Sequence, residues 1–390
     1  MLTGVGLIGC GTVGGGVARR LLRSHPGLIR EIVVRDVAKS RDVAWNRFVD
    51  DPLEVVDDPD VGIVVECVGG LGIAREVVLR AIARGKAVVT ANKELIATDG
   101  PWLTAFAERT GASLRYEAAV GGAIPIMHAL AGALACEDVI EIGGILNGTT
   151  NFILDAMTSG AEYGDALAEA QRLGYAEANS SSDINGHDAA HKLAILLGKA
   201  VRRPAMSAHI VRRGIAGVTS IDVRDAIAHG FCLKLLAIAR RLEDGAVEAG
   251  VTPAFVPVNH PFAQIHGVDN IVRVVGRFCG TLTFTGAGAG GDATAAAVVA
   301  DVMDALNGRK DACSHHDDAA LHNVGEVLIP RPLRISLPVW AENGGPLTTV
   351  LVPLDELTQA EPSLAREGVR SMIPIWDDGV SLHATQCVSR

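Results

Sequence analysis

A segment late in the first half of the chain carries charges where apolar residues would suffice. It reads His187-Asp188-Ala-Ala-His191-Lys192-Leu-Ala-Ile-Leu-Leu. The spacing predicts a helix from near Gly186 to Gly198, with Asp188 and Lys192 four apart on one face and His191 close to it. On a solvated surface such a pair is worth only a few tenths of a kcal/mol. This helix is otherwise strongly apolar, and a buried pair of charges is costly unless something uses it. A lysine ammonium so placed can stabilise a developing oxyanion and supply its proton. Desolvation in a closed site would lower its pKa towards neutrality. A polar loop just upstream carries Tyr175, Glu177 and Asp183. A second lysine, Lys93, stands in Ala-Asn92-Lys93-Glu, directly after the strand-like residues 87–90. As a lone lysine it fits a surface position as well as a functional one.

These side chains need elements to hold them. The N-terminal run Gly-Leu-Ile-Gly9-Cys-Gly11-Thr12-Val13-Gly14 puts three glycines at G-x-G-x-x-G spacing after a short apolar strand. Helical character follows it. Strand, glycine turn and helix form the setting in which this spacing binds a dinucleotide. Gly9 permits the tight turn, Gly11 admits a pyrophosphate to the backbone, and Gly14 lets helix and strand pack closely. The next strand, residues 29–34, ends in Arg35-Asp36, with Lys39 and Arg41 behind it. An acid here grips the ribose 2′-hydroxyl of NAD, whereas an arginine accommodates the 2′-phosphate of NADP. Both are present; the three cationic residues favour NADP over NAD.

Apolar strands at 62–68, 87–90 and 113–117 alternate with helices, which indicates a doubly wound parallel sheet of the Rossmann type, an α/β fold. Ligands of such sheets sit at the carboxyl ends of the strands, where Lys93 lies. Residues 139–146 form a further strand running into Asn147-Gly-Thr-Thr150-Asn, a turn whose polar groups suit an N-cap. A second glycine-rich turn, residues 286–291, follows a short strand at 282–284 and precedes a helix at 294–306. It would bring Gly290 back against the cofactor.

The chain has 390 residues, 48% of them hydrophobic and 21% charged, with a formal net charge of −10. That composition is globular, and the acidic balance argues against a nucleic-acid partner. No apolar run is long enough to span a bilayer. No basic leader precedes the first strand, so a cytoplasmic location is expected. The seven cysteines are scattered, odd in number and without a C-x-x-C pair, which suits reduced thiols. Character changes near Asn307. The His315-His316-Asp317-Asp318 run beyond it reads as a solvated loop rather than a metal site.

Several stretches resemble, in order, the homoserine dehydrogenase family. They are the glycine loop, Val-Val-Arg-Asp, Glu-Cys-Val-Gly-Gly, Val-Thr-Ala-Asn-Lys-Glu, Tyr-Glu-Ala-Ala-Val-Gly-Gly-Ala-Ile-Pro, Leu-Asn-Gly-Thr-Thr-Asn-Phe-Ile-Leu, Gly-Tyr-Ala-Glu, Asp-Ala-Ala-His-Lys-Leu-Ala-Ile-Leu and Thr-Gly-Ala-Gly-Ala-Gly-Gly, spanning roughly residues 4 to 306. The resemblance implies hydride transfer between a nicotinamide and aspartate 4-semialdehyde, giving homoserine. It places the proton-transferring lysine at Lys192, with Asp188 and Lys93 as its catalytic companions. Substrate contacts would come from Glu177, Asp183, Tyr175 and Thr150. The cofactor would be held by Gly9, Gly11, Thr12, Val13, Gly14, Arg35, Asn92, Lys93 and Gly290. Glu117, with the carbonyls of Val120, Gly122 and Ile124, would hold a structural sodium or potassium ion.

The implied organisation is a dinucleotide-binding domain at 1–130 plus 282–309, an α+β substrate and dimerisation domain at 131–281, and a C-terminal extension at 310–390, assembled as a homodimer or homotetramer. The chain departs from the family at Asn179-Ser180, where Asp-Pro is usual, and at Asp292-Ala293, where a proline precedes the threonine. Past residue 310 it lacks the pattern of the family's regulatory module, so threonine feedback through one is not expected. Two other readings remain open: a dehydrogenase of the same build acting on another amino-acid semialdehyde or amino alcohol, and a non-catalytic NAD(P)-binding sensor.

Overall fold

The computed structural model describes residues 4–309, 327–339, 348–357 and 373–376. The first unit runs β1 (Gly4–Ile8), α1 (Thr12–Ser24), β2 (Ile29–Val33), β3 (Phe48–Val49), α2 (Pro52–Asp57), β4 (Val61–Glu66), α3 (Gly72–Ala83), β5 (Ala87–Thr90), α4 (Lys93–Thr110) and β6 (Leu114–Arg115). Its six strands lie in the order β3-β2-β1-β4-β5-β6, each pair parallel. The chain winds outward from β1 to β3 and then returns to the other side of β1. The order therefore reverses between β1 and β4, and a crevice opens at their carboxyl ends.

The second unit contains α5 (Ile126–Ala131), β7 (Val139–Ile145), α6 (Gly148–Thr158), α7 (Tyr163–Arg172), α8 (Ser181–Ile184), α9 (His187–Val201), β8 (Val211–Arg212), α10 (Ser220–Ala228), β9 (Phe231–Arg241), β10 (Val247–Pro257), β11 (Asp269–Gly276) and β12 (Gly280–Ala287). The long helix α11 (Gly291–Leu306) follows, then β13 (Arg331–Pro332), β14 (Arg334–Val339) and β15 (Thr348–Pro353). The second sheet has the order β12-β11-β7-β9-β10-β13, with β8 also on β10. Strands β9 and β10 are almost wholly buried, because both faces of the sheet are covered. Period-2 alternation sorts their side chains. Leu233, Leu235 and Val251 pack with Ile153, Leu193 and Leu197 of the helices. Leu236, Ile238 and Val256 meet Leu333, Ile335, Leu354 and Trp376.

The described C-terminal segments form the outer cover of the second sheet, through β13 on β10 and the bridge of Ile375 to Phe255. The short strand expected at 282–284 is longer than that. Residues 280–287 are a full edge strand of the second sheet, paired along their length with β11. Only α11 returns to the first unit, where Val298 and Val302 join Val17 and Leu21 of α1. The alternation of exposed and half-buried residues in β12 hid its length. The strand expected at 113–117 stops at Arg115. Glu117 begins a 3-10 turn with its amide bonded to Asp301 Oδ2 at 2.8 Å. The run from His315 to Asp318 lies outside the described residues. Among those residues, no helix is long and apolar enough to cross a membrane, and Cys10, Cys67, Cys232 and Cys279 are in no disulfide.

Candidate active site

The crevice between β1 and β4 is lined by the glycine loop. Gly9 takes φ +98°, which favours glycine. A Cβ on Gly14 would stand 2.0 Å from the Gly9 carbonyl oxygen, so helix and loop touch only without one. A Cβ at Gly11 would meet nothing within 4 Å. Gly11 also caps α1 with no side-chain hydrogen bond, leaving the first-turn amides of Thr12, Val13 and Gly14 without an N-cap side chain. Uncapped amides facing open space at a helix N-terminus suit a phosphate. The second glycine turn does come back: Gly291 packs on Thr12, leaving no room there for a Cβ, while Gly290 at φ +116° faces open space. Asp292 pairs with Arg20 of α1 at 2.9 Å. Arg35 is exposed at the end of β2, and Asp36 spends one carboxylate oxygen on the amide of Ala38 at 3.0 Å.

Opposite the crevice, α9 presents the charged cluster. Asp188 and Lys192 share a face as the spacing required, and their side chains are only 3% and 8% exposed. Lys192 Nζ lies 2.9 Å from Asp188 Oδ2 and donates to the Leu146 carbonyl at 2.7 Å. Asp188 Oδ1 takes Lys93 Nζ, which reaches across from the first turn of α4. The two sheets are thus joined at one carboxylate. Burial alone would raise the Asp188 carboxyl, yet the flanking Lys192 and Lys93 cations hold it well below the usual carboxylate range. Lys93 is 45% exposed. Its desolvation is outweighed by Asp188, Asp183 and Glu177, which raise its pKa above that of an ordinary lysine. Asp183 moves the other way from its neighbour: burial and repulsion from Asp188 raise its carboxyl.

One residue of the cluster was not picked out in the sequence as more than a cap. Asn147, buried at the end of β7, caps α6 by accepting from the Thr150 amide at 2.9 Å. Its Nδ2 donates to Asp183 and Asp188, each at 2.7 Å. The Leu-Asn-Gly-Thr-Thr-Asn motif was its only signal. Thr150 does not join the open side of the cluster. It is fully buried, and its hydroxyl is spent on Asn147. Tyr175 is exposed and meets Phe152 edge to face at 5.1 Å. Glu177 is exposed and near enough to Lys93 to affect its charge. Asn92 is the buried N-cap of α4. A depression of about 500 Å³ lined by Asn185, His187, His209 and Arg212 contains none of the charged cluster.

Glu117 is buried behind this site. Its carboxylate accepts from the amides of Met127 at 3.0 Å and His128 at 2.6 Å, and His128 Nδ1 contacts it as well. The other ring nitrogen of His128 faces Asp301 and Asp304 on α11 at 3.3 and 2.9 Å. Asp301 and Glu117 push the imidazole up to about 10. Among the described residues there is no cluster of three or more histidine, cysteine, aspartate or glutamate side chains fit to hold a metal.

Comparison with known proteins agrees with this geometry. Residues 9–117 match the model of the homoserine dehydrogenase NAD binding domain, and residues 125–303 match the homoserine dehydrogenase model. Homoserine dehydrogenase of Corynebacterium glutamicum is 42% identical over 321 residues, covering 78% of this chain and 72% of that protein. The Mycobacterium bovis enzyme is 43% identical over 320 residues, with coverage of 78% and 73%. The crystal structure of a homoserine dehydrogenase from Thiobacillus denitrificans superposes with a TM-score of 0.83 at 35% identity, covering 97% of this chain and 99% of that one. A hyperthermophilic archaeal homoserine dehydrogenase in complex with NADPH gives 0.68 at 25% identity, covering 80% and 99%. With a Rossmann-type sheet, an open glycine crevice and two lysines meeting on one buried aspartate, the chain belongs to the homoserine dehydrogenase family.

Proposed function

We propose that this chain interconverts L-homoserine and L-aspartate 4-semialdehyde, with Lys192 as the group that moves the proton. One observation carries the assignment. The Lys192 ammonium donates to the Leu146 carbonyl and pairs with Asp188, and it has no third partner among the described residues. A donor held rigidly and left one bond short is what a substrate oxygen requires. In the reducing direction Lys192 donates to the oxygen as the carbonyl becomes an alcohol; in the oxidising direction its neutral amine takes the hydroxyl proton. Asp188 pairs with both lysines and holds them in place. Glu177 and Asp183 supply negative charge for the ammonium end of an amino-acid substrate, and Lys93 stands between them and the crevice. Nicotinamide supplies the hydride donor or acceptor when bound. The uncapped amides of α1 and the space over Gly11 and Gly290 fit its pyrophosphate. Arg35, exposed beside an Asp36 already engaged, favours NADP over NAD.

Glu117 with the carbonyls of Val120, Gly122 and Ile124 offers the kind of oxygen donors that a sodium or potassium ion takes, but both Glu117 oxygens already accept from the Met127 and His128 amides, so an ion there would have to share them. A homodimer or homotetramer in a reducing cytoplasm completes this reading. The exposed edge strand β12 and the thiols of Cys10, Cys67, Cys232 and Cys279 suit it. The test is homoserine oxidation with NADP and NAD side by side, read as formation of the reduced nicotinamide. Turnover with homoserine, better with NADP, is the expected result. Turnover only with other amino alcohols would move the substrate, and tight cofactor binding without turnover would return the chain to a sensor.

A further inference from the structure

The ends of β4 and β5 contain a carboxylate that the reaction above does not use. Glu66 is the last residue of β4 and is fully buried. Its Oε1 accepts from the amides of Val68 and Gly69, at 2.7 and 2.8 Å. Its Oε2 accepts from the Thr90 hydroxyl at 2.6 Å. Thr90 Oγ1 in turn accepts from the amide of Asn92 at 3.0 Å, and Asn92 Nδ2 donates to the Gly70 carbonyl at 2.6 Å. The bonds close a ring. One arc is the loop after β4, which packs on the glycine turn so tightly that a Cβ on Gly9 would stand 2.9 Å from the Cys67 carbonyl oxygen. The other arc is the N-cap of α4, whose first residue is Lys93.

We infer that Glu66 is a positioning residue, coupling the nucleotide crevice to Lys93 through these two arcs; the inference rests on the crevice being the cofactor site, as proposed above. The Glu66 carboxylate and the Asn92 amide together hold the loop between β4 and α3 in this shape. Gly69 and Gly70 sit at φ +77° and +71°, and the carboxylate draws the amides of residues 68 and 69 inward. The strand end alone does not enforce such a turn. With the carboxylate gone, the loop amides lose their acceptor, and Thr90 loses the partner that orients its oxygen towards Asn92. The cofactor would then meet a looser floor, and Lys93 a helix start free to shift against Asp188.

The test uses Glu66→Ala, Glu66→Gln and Thr90→Val in the full-length protein, with NADP affinity by calorimetry, kinetics with homoserine, and thermal unfolding of each. Glu66→Ala should weaken NADP binding and lower kcat, each by ~10-fold, the effect of removing a charged hydrogen-bond partner, with the homoserine KM within about twofold. Glu66→Gln should recover most of the NADP affinity, because its amide oxygen keeps the bonds from Val68 and Gly69. Thr90→Val cuts only the second arc, so it should lower kcat while leaving NADP affinity near the parent value. A Glu66→Ala protein with parental NADP affinity and kcat, differing only in melting temperature, would overturn the proposal. So would a Thr90→Val protein parental in kcat. If Glu66→Ala does not fold, Thr90→Val still decides. If the parent binds NADP but does not oxidise homoserine, the functional reading fails and the affinity comparison still judges Glu66.

Discussion

Two buried lysines in this protein each sit beside an aspartate, and their difference shows what makes a site. Lys234, in the middle of β9, is 1% exposed and gives all three N–H bonds away: to Asn151 Oδ1 at 3.0 Å, Asp155 Oδ1 at 2.7 Å and the Ile265 carbonyl at 2.6 Å. Its partners all lie within the second unit, and it fastens α6 to the sheet and to the turn at 261–267. Lys192 is almost as buried, but it has only two partners, the Leu146 carbonyl and an aspartate shared with a lysine of the first unit. A saturated ammonium anchors a fold, whereas an ammonium left short of a partner has capacity for chemistry. Burial of charge does not separate the two; the count of unspent donors does.

The largest way to break this contrast is Asp188→Ala. It leaves two ammonium groups facing each other without their anion, at a cost of ~2–5 kcal/mol for truncating a buried charge partner. The expected result is a fall in kcat/KM for homoserine of two orders of magnitude or more; a fall under tenfold would show that the aspartate is not what holds the lysines. Lys234→Met should do the reverse. Urea unfolding should show a loss of about 3–5 kcal/mol, as for a broken buried pair, while kcat of the folded fraction stays within about twofold. A smaller third effect concerns the cofactor: Arg35→Ala should raise the NADP KM by ~10-fold, one lost charged hydrogen bond, and leave the NAD KM unchanged.

The smallest effect is a pH slope. The His128 imidazole rises from its ordinary 6.5 to about 10 between Glu117, Asp301 and Asp304. A base raised on folding stabilises fully below its unfolded pKa and loses that contribution as pH climbs through the folded one. The parent should therefore lose stability between pH 6.5 and 10, and His128→Gln should flatten that part of the curve. Equal slopes in urea midpoints at pH 6, 8 and 10 would remove His128 from the account.

The readable parts of the chain were those where geometry restricts residue type. A turn at φ +98° and a helix pressed against a carbonyl leave few choices at Gly9 and Gly14, so the crevice could be read from spacing alone. The i,i+4 pair Asp188 and Lys192 was readable because its apolar surroundings made it conspicuous. Asn147 and the Leu146 carbonyl were not. An N-cap asparagine looks the same whether or not its amide reaches a distant aspartate, and a carbonyl has no letter in the sequence. Thr150 is open to two readings for a related reason, since a hydroxyl spent on a cap and one offered to a substrate are written alike. The second unit's edge was misjudged because Thr-Leu-Thr-Phe-Thr in β12 alternates at the surface and reads as a short strand.

Single-turnover hydride transfer in Lys192→Ala, with parent and variant both saturated in NADP and homoserine, measures directly what this lysine supplies. The rate should lie at least ~100-fold below the parent, the low end for lost proton transfer, with NADP affinity unchanged. A variant that transfers hydride at the parental rate would contradict the proton-transfer role of Lys192.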